Sequence, residues 1–354
     1  ITARNFVQDV TTAKTLAATS TTGTDTDLAS SITLSQDLTN LALVQAGHDF
    51  DVTARTVKQN VTSAAVLGAM SGTGTMNLTL SAAYNDGGGN IATVFSGKDL
   101  NITGPSMVNQ TTGLWGANGN LSLSATSGDI VNYGALYAGN DLSATATSGQ
   151  IQNYITYHTV QDQLLGNRNG ASDKDAGQST AGNLYSSKQV LDTTATVNAG
   201  RDIAFTAETI VNSSEVNAGR DITFTANTIL NQVQGGDTRV WSGADLVNSG
   251  DSNTSSADGL NYGRNTATNA YYSFPDDYED TTYTETWHRS QYFGGGTPIF
   301  KPVLKAVGTL TLQGFTTGKN LGGVIEANQI DIATTQGGAS FVNDALTLSR
   351  DNFT

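Results

Sequence analysis

One five-residue phrase constrains this chain more than any other feature: a small residue, Gly, a polar residue, Asp, then a large apolar residue. It reads Ala46-Gly47-His48-Asp49-Phe50, Ser96-Gly97-Lys98-Asp99-Leu100 and Ala138-Gly139-Asn140-Asp141-Leu142. It returns as Ala199-Gly200-Arg201-Asp202-Ile203 and Ala218-Gly219-Arg220-Asp221-Ile222. Ser242-Gly243-Ala244-Asp245-Leu246 is a weaker copy, while Gly119-Asn120-Leu121 and Gly318-Lys319-Asn320-Leu321 carry Asn in the Asp place. Alternating segments follow, such as Leu121-Ser122-Leu123-Ser124-Ala125 and Ile203-Ala204-Phe205-Thr206-Ala207. A second phrase, aliphatic-x-Asn, then ends at Asn109, Asn132, Asn153, Asn212 and Asn231. Its steps are 23, 21, 59 and 19 residues, so the long step holds one or two coils plus an insertion.

Short alternating strands at a period of about 20, separated by Gly-Asp turns, specify a stacked β-solenoid. Each coil contributes two or three strands, paired with neighbouring coils at about 4.8 Å. Alternation sends Leu, Ile, Val, Phe and Ala inward and Thr, Ser and Asn outward. Gly is expected to supply positive φ at the corner. Asp is expected to accept backbone N–H bonds in the turn that follows. The inward asparagines are expected to stack amide on amide, coil on coil. A row that serves every coil alike is a structural ladder, whereas a catalytic site occurs once. Competing repeats fail: a leucine-rich repeat needs several Leu at fixed spacing, and a propeller blade needs about 40–50 residues.

The composition agrees with an all-β chain. Charged residues are only 14%, and 26 of the 31 acidic residues are Asp, with Glu only at 208, 215, 279, 285 and 326. Asp favours turns and caps, whereas Glu favours helix interiors. The balance of 17 basic against 31 acidic residues gives −14, which argues against nucleic acid and anionic membranes as partners. No run of 18 apolar residues spans a bilayer, so the chain is not expected to be membrane-embedded. There is no Cys, which removes disulfides, thiol catalysis and thiolate metal sites. It also suits a chain that crosses an oxidising compartment unfolded. The chain opens on Ile1-Thr2-Ala3-Arg4 and ends within an alternating segment, Leu346-Thr347-Leu348, and so reads as a piece of a longer protein.

The recurring Val-Asn-Ala-Gly-Arg-Asp-Ile-x-Phe-Thr-Ala pattern at 197–207 and 216–226 resembles the haemagglutinin repeats of filamentous-haemagglutinin-like exoproteins. So does Gly128-Asp129-Ile130-Val131-Asn132-Tyr133-Gly134-Ala135-Leu136-Tyr137-Ala138-Gly139-Asn140-Asp141-Leu142. The resemblance runs from about Gln45 to Gln234, with weaker repeats over 1–44 and 303–354. It implies a right-handed parallel β-helix, two-partner secretion in a Gram-negative bacterium through an outer-membrane β-barrel transporter, and display at the cell surface. It covers adhesins, biofilm-matrix proteins and stalks of contact-dependent growth-inhibition toxins.

Two stretches break the repeat. The coils are expected over 1–157, 193–234 and 303–354, with insertions over 158–192 and 235–302, all within one continuous domain. Removing about 35 and about 68 residues leaves about 12 coils, or about 60 Å of stack. Val160-Gln161-Asp162-Gln163-Leu164-Leu165 reads as a helical turn, and Thr281–Trp287 as a hairpin arm. Insertions in solenoids extrude on one face, often the binding face. The second insertion carries the candidate ligand contacts: Tyr271, Tyr272, Asp276, Asp277, Tyr278, Tyr283, Trp287 and Tyr292. Aromatics beside carboxylates suit glycan stacking or a protein contact, or else they pack the insertion onto the coils.

No catalytic, cofactor or metal site is expected. His48, His158 and His288 are far apart, and the acidic cluster at 276–280 fits no EF-hand loop. The corner aspartates Asp49, Asp99, Asp141, Asp202 and Asp221 and the asparagines Asn109, Asn132, Asn153, Asn212 and Asn231 are read as structural ladders. Arg201 and Arg220, each beside an Asp, are read as self-neutralising surface pairs. The expected function is a structural and adhesive segment, a monomeric rod that touches a host or bacterial receptor or glycan through its insertions, not an enzyme. The alternatives are a polysaccharide-active β-helix or tailspike, and a toxin stalk.

Overall fold

Each coil turns through three short strands, because its apolar residues alternate in runs of three to five between polar corners. In one coil these are Leu114–Ala117, Leu121–Ala125 and Ile130–Asn132. The computed structural model describes residues 1–8, 14–17, 30–41, 43–59, 66–69, 74–85, 93–167, 183–234, 238–241, 246–250, 283–287, 292–293, 299–334 and 339–344. Every regular element among them is a β-strand, and no helix long and apolar enough to cross a membrane occurs.

The first strands of successive coils form a 10-stranded parallel sheet from Lys14–Ala17 to Val324–Glu326. The second and third strands form a 17-stranded sheet and, near the N-terminus, a separate 3-stranded one. The two faces merge where Leu142–Asn153 and Ile203–Asn212 run through both. Ten coils thus have all three faces represented, preceded by the pair Thr2–Ala3 and Phe6–Gln8. The chain is a parallel β-helix.

Register is held by like residues. Leu100, Leu121, Leu142, Ile203, Ile222 and Leu310 lie one above another, coil after coil. All are buried. Inside the stack Phe205 lies on Phe224, ring centroids 5.0 Å apart, and Tyr84 on Trp115 at 5.1 Å. A one-residue slip would turn this whole column outward, which fixes the register.

Four sequence readings need correction. First, the corner glycines do not supply positive φ: among the described residues only Gly314 and Gly322 have it. Instead the coils approach too closely for a side chain. A Cβ on Gly139, Gly200 or Gly219 would fall on the carbonyl oxygen of Asn118, Gly139 or Gly200 in the preceding coil. Second, Gly318-Lys319-Asn320-Leu321 is not a corner: it lies in the strand Thr317–Leu321, where Asn320 pairs with Asn231. Third, Val160–Leu165 is not helical but part of the strand Thr156–Asn167. Thr156, Tyr157 and Thr159 before it, and Val160 at its start, favour the extended backbone. Fourth, Leu246 opens the strand Leu246–Gly250, antiparallel to Tyr283–Trp287, so the weak copy there begins no coil; residues 242–245 lie outside the described residues. The 59-residue step resolves to a single coil plus an insertion, because Asn153 pairs directly with Asn212.

The chain divides into two compact units. The first comprises 1–156, 191–234 and 300–346, and is the β-helix. The second includes 157–190 and 235–299. Its four-stranded sheet orders Thr156–Asn167, Asn183–Thr193, Thr238–Trp241 and Tyr292–Phe293. Leu184 pairs with Trp241 and Ser186 with Arg239, so strands from the two insertions build one sheet.

Candidate functional site at the insertion corner

Both insertions leave the β-helix from the same corner, just past an asparagine of the third strand. The first departs after Asn153 and returns at Thr196; the second departs after Asn231 and returns at Val303. One intact corner, Asn212-Ser213-Ser214-Glu215, lies between them.

The corner is organised by a buried amide row. Each Asn Nδ2 donates to the Oδ1 of the next: Asn109 to Asn132 at 2.8 Å, Asn132 to Asn153 at 2.9 Å, Asn153 to Asn212 at 2.9 Å and Asn212 to Asn231 at 2.8 Å. The row continues through Asn320 to Asn343, each step at 2.7 Å. The same Nδ2 groups also reach the first backbone carbonyl of the strand that follows the next asparagine in the row. Asn109 donates to Ala135 O and Asn153 to Glu215 O, both at 3.1 Å. Asn132 likewise reaches Thr196 O and Asn212 reaches Val303 O, the two points where the insertions return. Each amide therefore clamps the next coil whatever length of chain has intervened. At the neck of the first insertion the hydroxyls of Thr156 and Thr193 are 2.7 Å apart, and Ser214 Oγ donates to Ala195 O at 2.6 Å.

A tilted aromatic pair lines this corner: Tyr133 and Tyr154 have ring centroids 6.0 Å apart. Burial, then Tyr133 and the Asp129 charge, raise the Tyr154 hydroxyl above its ordinary value. Near the N-terminus a glutamine takes the asparagine's place. Gln59 pairs with Asn40, accepts from Tyr84 Oη at 3.1 Å and donates to Thr93 O at 3.3 Å.

The aspartate row lies on a different, more exposed corner. Its carboxylates do not bond their own turns. Asp49 Oδ1 accepts from Thr75 N at 2.8 Å, Asp99 from Asn120 N at 2.7 Å and Asp221 from Thr309 N at 2.7 Å. Asp141 and Asp202 accept from the backbone N–H of Asp202 and Asp221, at 3.3 and 3.2 Å. Each aspartate thus binds the matching residue of the next coil. The arginines bridge coils, and Arg220 Nε also lies 3.8 Å from its own Asp221. Arg201 makes a bidentate pair with Asp141, Nε at 3.1 Å and Nη2 at 2.6 Å, and Arg220 pairs likewise with Asp202. The Arg220 guanidinium holds the Asp202 carboxyl below its ordinary range. Lys58 and Arg55 do the same to Asp37.

These carboxylates are all engaged with backbone or guanidinium. Among the described residues no three His, Asp or Glu side chains converge as metal ligands would. Of the candidate ligand contacts, Tyr283 and Trp287 end the strand Tyr283–Trp287, and Tyr292 begins Tyr292–Phe293. Tyr271, Tyr272, Asp276, Asp277 and Tyr278 lie outside the described residues. Sequence reading missed Asn320 and Asn343 in the amide row. The signal was present in the spacing from Asn320 to Asn343, 23 residues, equal to that from Asn109 to Asn132. Compared with protein-family models, curated proteins and solved structures, the chain matches none.

Proposed function

We propose that this chain is a structural and adhesive segment of a secreted bacterial surface exoprotein of the filamentous-haemagglutinin type, exported through an outer-membrane β-barrel transporter. The β-helix serves as the support, and the two insertions together serve as the binding module. One observation carries this reading: the insertions leave by one corner and contribute strands to a single sheet. A shared sheet is what a purpose-built appendage requires, whereas two unrelated loops have no reason to pair. The partner is a glycan or receptor of a host or bacterial surface, met by the aromatic and acidic residues of the second insertion. Such residues offer stacking faces and hydrogen-bond acceptors to sugar rings and hydroxyls.

The test compares the whole chain with one lacking 251–282 on a glycan array and on cell surfaces. Binding by the whole chain that the shortened chain loses supports the proposal. Equal binding by both places the contact elsewhere. Depolymerisation of an acidic polysaccharide, lost on Asp276→Asn with Asp277→Asn, would replace the proposal with an enzymatic function.

A further inference from the structure

We propose that the outer side of the first-strand sheet holds a carbohydrate site, where Phe95 and Tyr137 stack against the rings of a neutral, extended, β-linked polysaccharide. In the strands Thr93–Ser96, Leu114–Ala117 and Ala135–Ala138, the residues Val94, Trp115 and Leu136 are buried in the core. Alternation therefore sends Phe95, Gly116 and Tyr137 outward. They are adjacent in one row: Phe95 pairs with Gly116, and Gly116 with Tyr137. Tyr137 is 43% exposed and Phe95 is half-buried. Among the described residues, no other outward position of a β-helix strand holds an aromatic residue. The asparagine and aspartate rows recur coil after coil, as supports do, whereas these two rings occur once.

Glycine makes room for the rings. The Phe95 ring lies over Gly116, where a Cβ would meet its Cδ2 and Cε2 at 3.0 and 3.2 Å. On its other side Phe95 pairs with Gly68, so the row sets no side chain beside it in either neighbouring coil. Phe95 and Tyr137 stand two coils apart, about 9.6 Å along the stack. That is close to the two-sugar repeat of an extended β-1,4-linked chain, after which a sugar ring presents the same face again. The row continues through Asn198 and Asn217, both half-buried. Asn217 Nδ2 donates to Asn198 Oδ1 at 3.2 Å, which leaves Asn198 Nδ2 and Asn217 Oδ1 for sugar hydroxyls. From Gln45 to Asn217 the row holds no charged residue, and neither does the neighbouring row from Leu43 to Thr196. In a chain of net charge −14 such a stretch is set apart, and it suits a neutral partner. Aromatic faces bordered by amides match sugar rings, which offer C–H faces rimmed by hydroxyls. The site uses coil residues alone and none from the second insertion.

The experiment is isothermal titration calorimetry of the whole chain with two probes: cellohexaose, which is neutral, extended and β-linked, and maltohexaose, which is neutral, coiled and α-linked. It is repeated on Tyr137→Ala, on Tyr137→Phe and on a chain lacking 251–282; circular dichroism checks that the two substituted chains keep the parent spectrum. Cellohexaose is expected to bind the whole chain more tightly than maltohexaose does. Tyr137→Ala is expected to weaken cellohexaose binding about tenfold, as fits the loss of one aromatic stack, and Tyr137→Phe to keep it. The chain lacking 251–282 is expected to bind cellohexaose as the whole chain does, whatever that deletion does to binding on the glycan array. No cellohexaose binding by the whole chain, or undiminished binding by Tyr137→Ala, would overturn the proposal. So would equal binding of maltohexaose, or cellohexaose binding that vanishes with 251–282. Attachment to a protein-coated surface that Tyr137→Ala weakens, with no cellohexaose bound, would make the partner a protein and likewise overturn it.

Discussion

The β-helix carries two polar rows, each advancing one residue per coil, and they differ in nearly every physical respect. The asparagine row is neutral and unbroken from Asn109 to Asn343, and buried from Asn109 to Asn320. The aspartate row is half-buried, charged and interrupted, with Asn120 or Thr309 standing in the Asp place. A buried amide has no water to fall back on, so losing one partner strands the others. A carboxylate still open to water is hydrated either way, and its ion pair is worth little. The asparagines should therefore hold the coils together, while the aspartates set the spacing at the outer corner.

Breaking the inner row should have the largest effect. Asn153→Ala takes a partner from Asn132 Nδ2, from Asn212 Oδ1 and from Glu215 O. The expected loss is about 3 kcal/mol in equilibrium unfolding, with lost amide protection in the flanking coils. A next, smaller effect should come from the glycine of the outer corner. Gly200→Ala sets a methyl group on the Gly139 carbonyl and should cost about 1–3 kcal/mol. The smallest should come from the outer charge itself. Asp202→Asn keeps an oxygen to accept the Asp221 N–H and loses only the pair with Arg220, so denaturation at pH 7 should barely move. An effect as large as that of Asn153→Ala would erase the distinction between the rows.

Acid sharpens the same comparison. Because Arg220 lowers the folded-state pKa of Asp202 below the ordinary 3.8, the ionised carboxylate stabilises the fold at pH values above 3.8. That contribution is lost as pH falls through the lowered folded-state value. The parent chain and Asp202→Asn should therefore converge in stability on acidification, measured by denaturant titration at several pH values. The difference between the parent chain and Asn153→Ala should persist, since no titration is involved.

Much of this was legible in the residues, and where it was not the reason is physical. The period, the all-β class and the inward asparagines follow from recurrence, because every coil solves the same packing problem. Asn320 was misread because Gly318 precedes it, imitating the corner phrase, where a larger apolar residue stands in the other coils. That glycine makes room for Phe341 and Phe315, whose rings a Cβ there would crowd. The purpose of the corner glycines was hidden because close approach between coils leaves no local mark. The shared sheet of the insertions was illegible for a related reason. Ser186 pairs with Arg239 across a non-repeating stretch, and such antiparallel register is set by tertiary contacts. The candidate contacts Tyr283, Trp287 and Tyr292 were legible only as residue types in a break.

The account rests on coils that clamp one another independently of what leaves the corner. Hydrogen exchange on a chain without either insertion tests this most directly. Asn153 would be joined to Thr196 by a Tyr-Gly corner like that at 133–134, and Asn231 to Val303 by a Ser-Ser corner like that at 213–214. The amides of Ile151–Asn153, Ile210–Asn212 and Ile229–Asn231 should keep the protection they have in the whole chain. Loss of that protection would mean that the insertions hold the coils together, and would contradict the account.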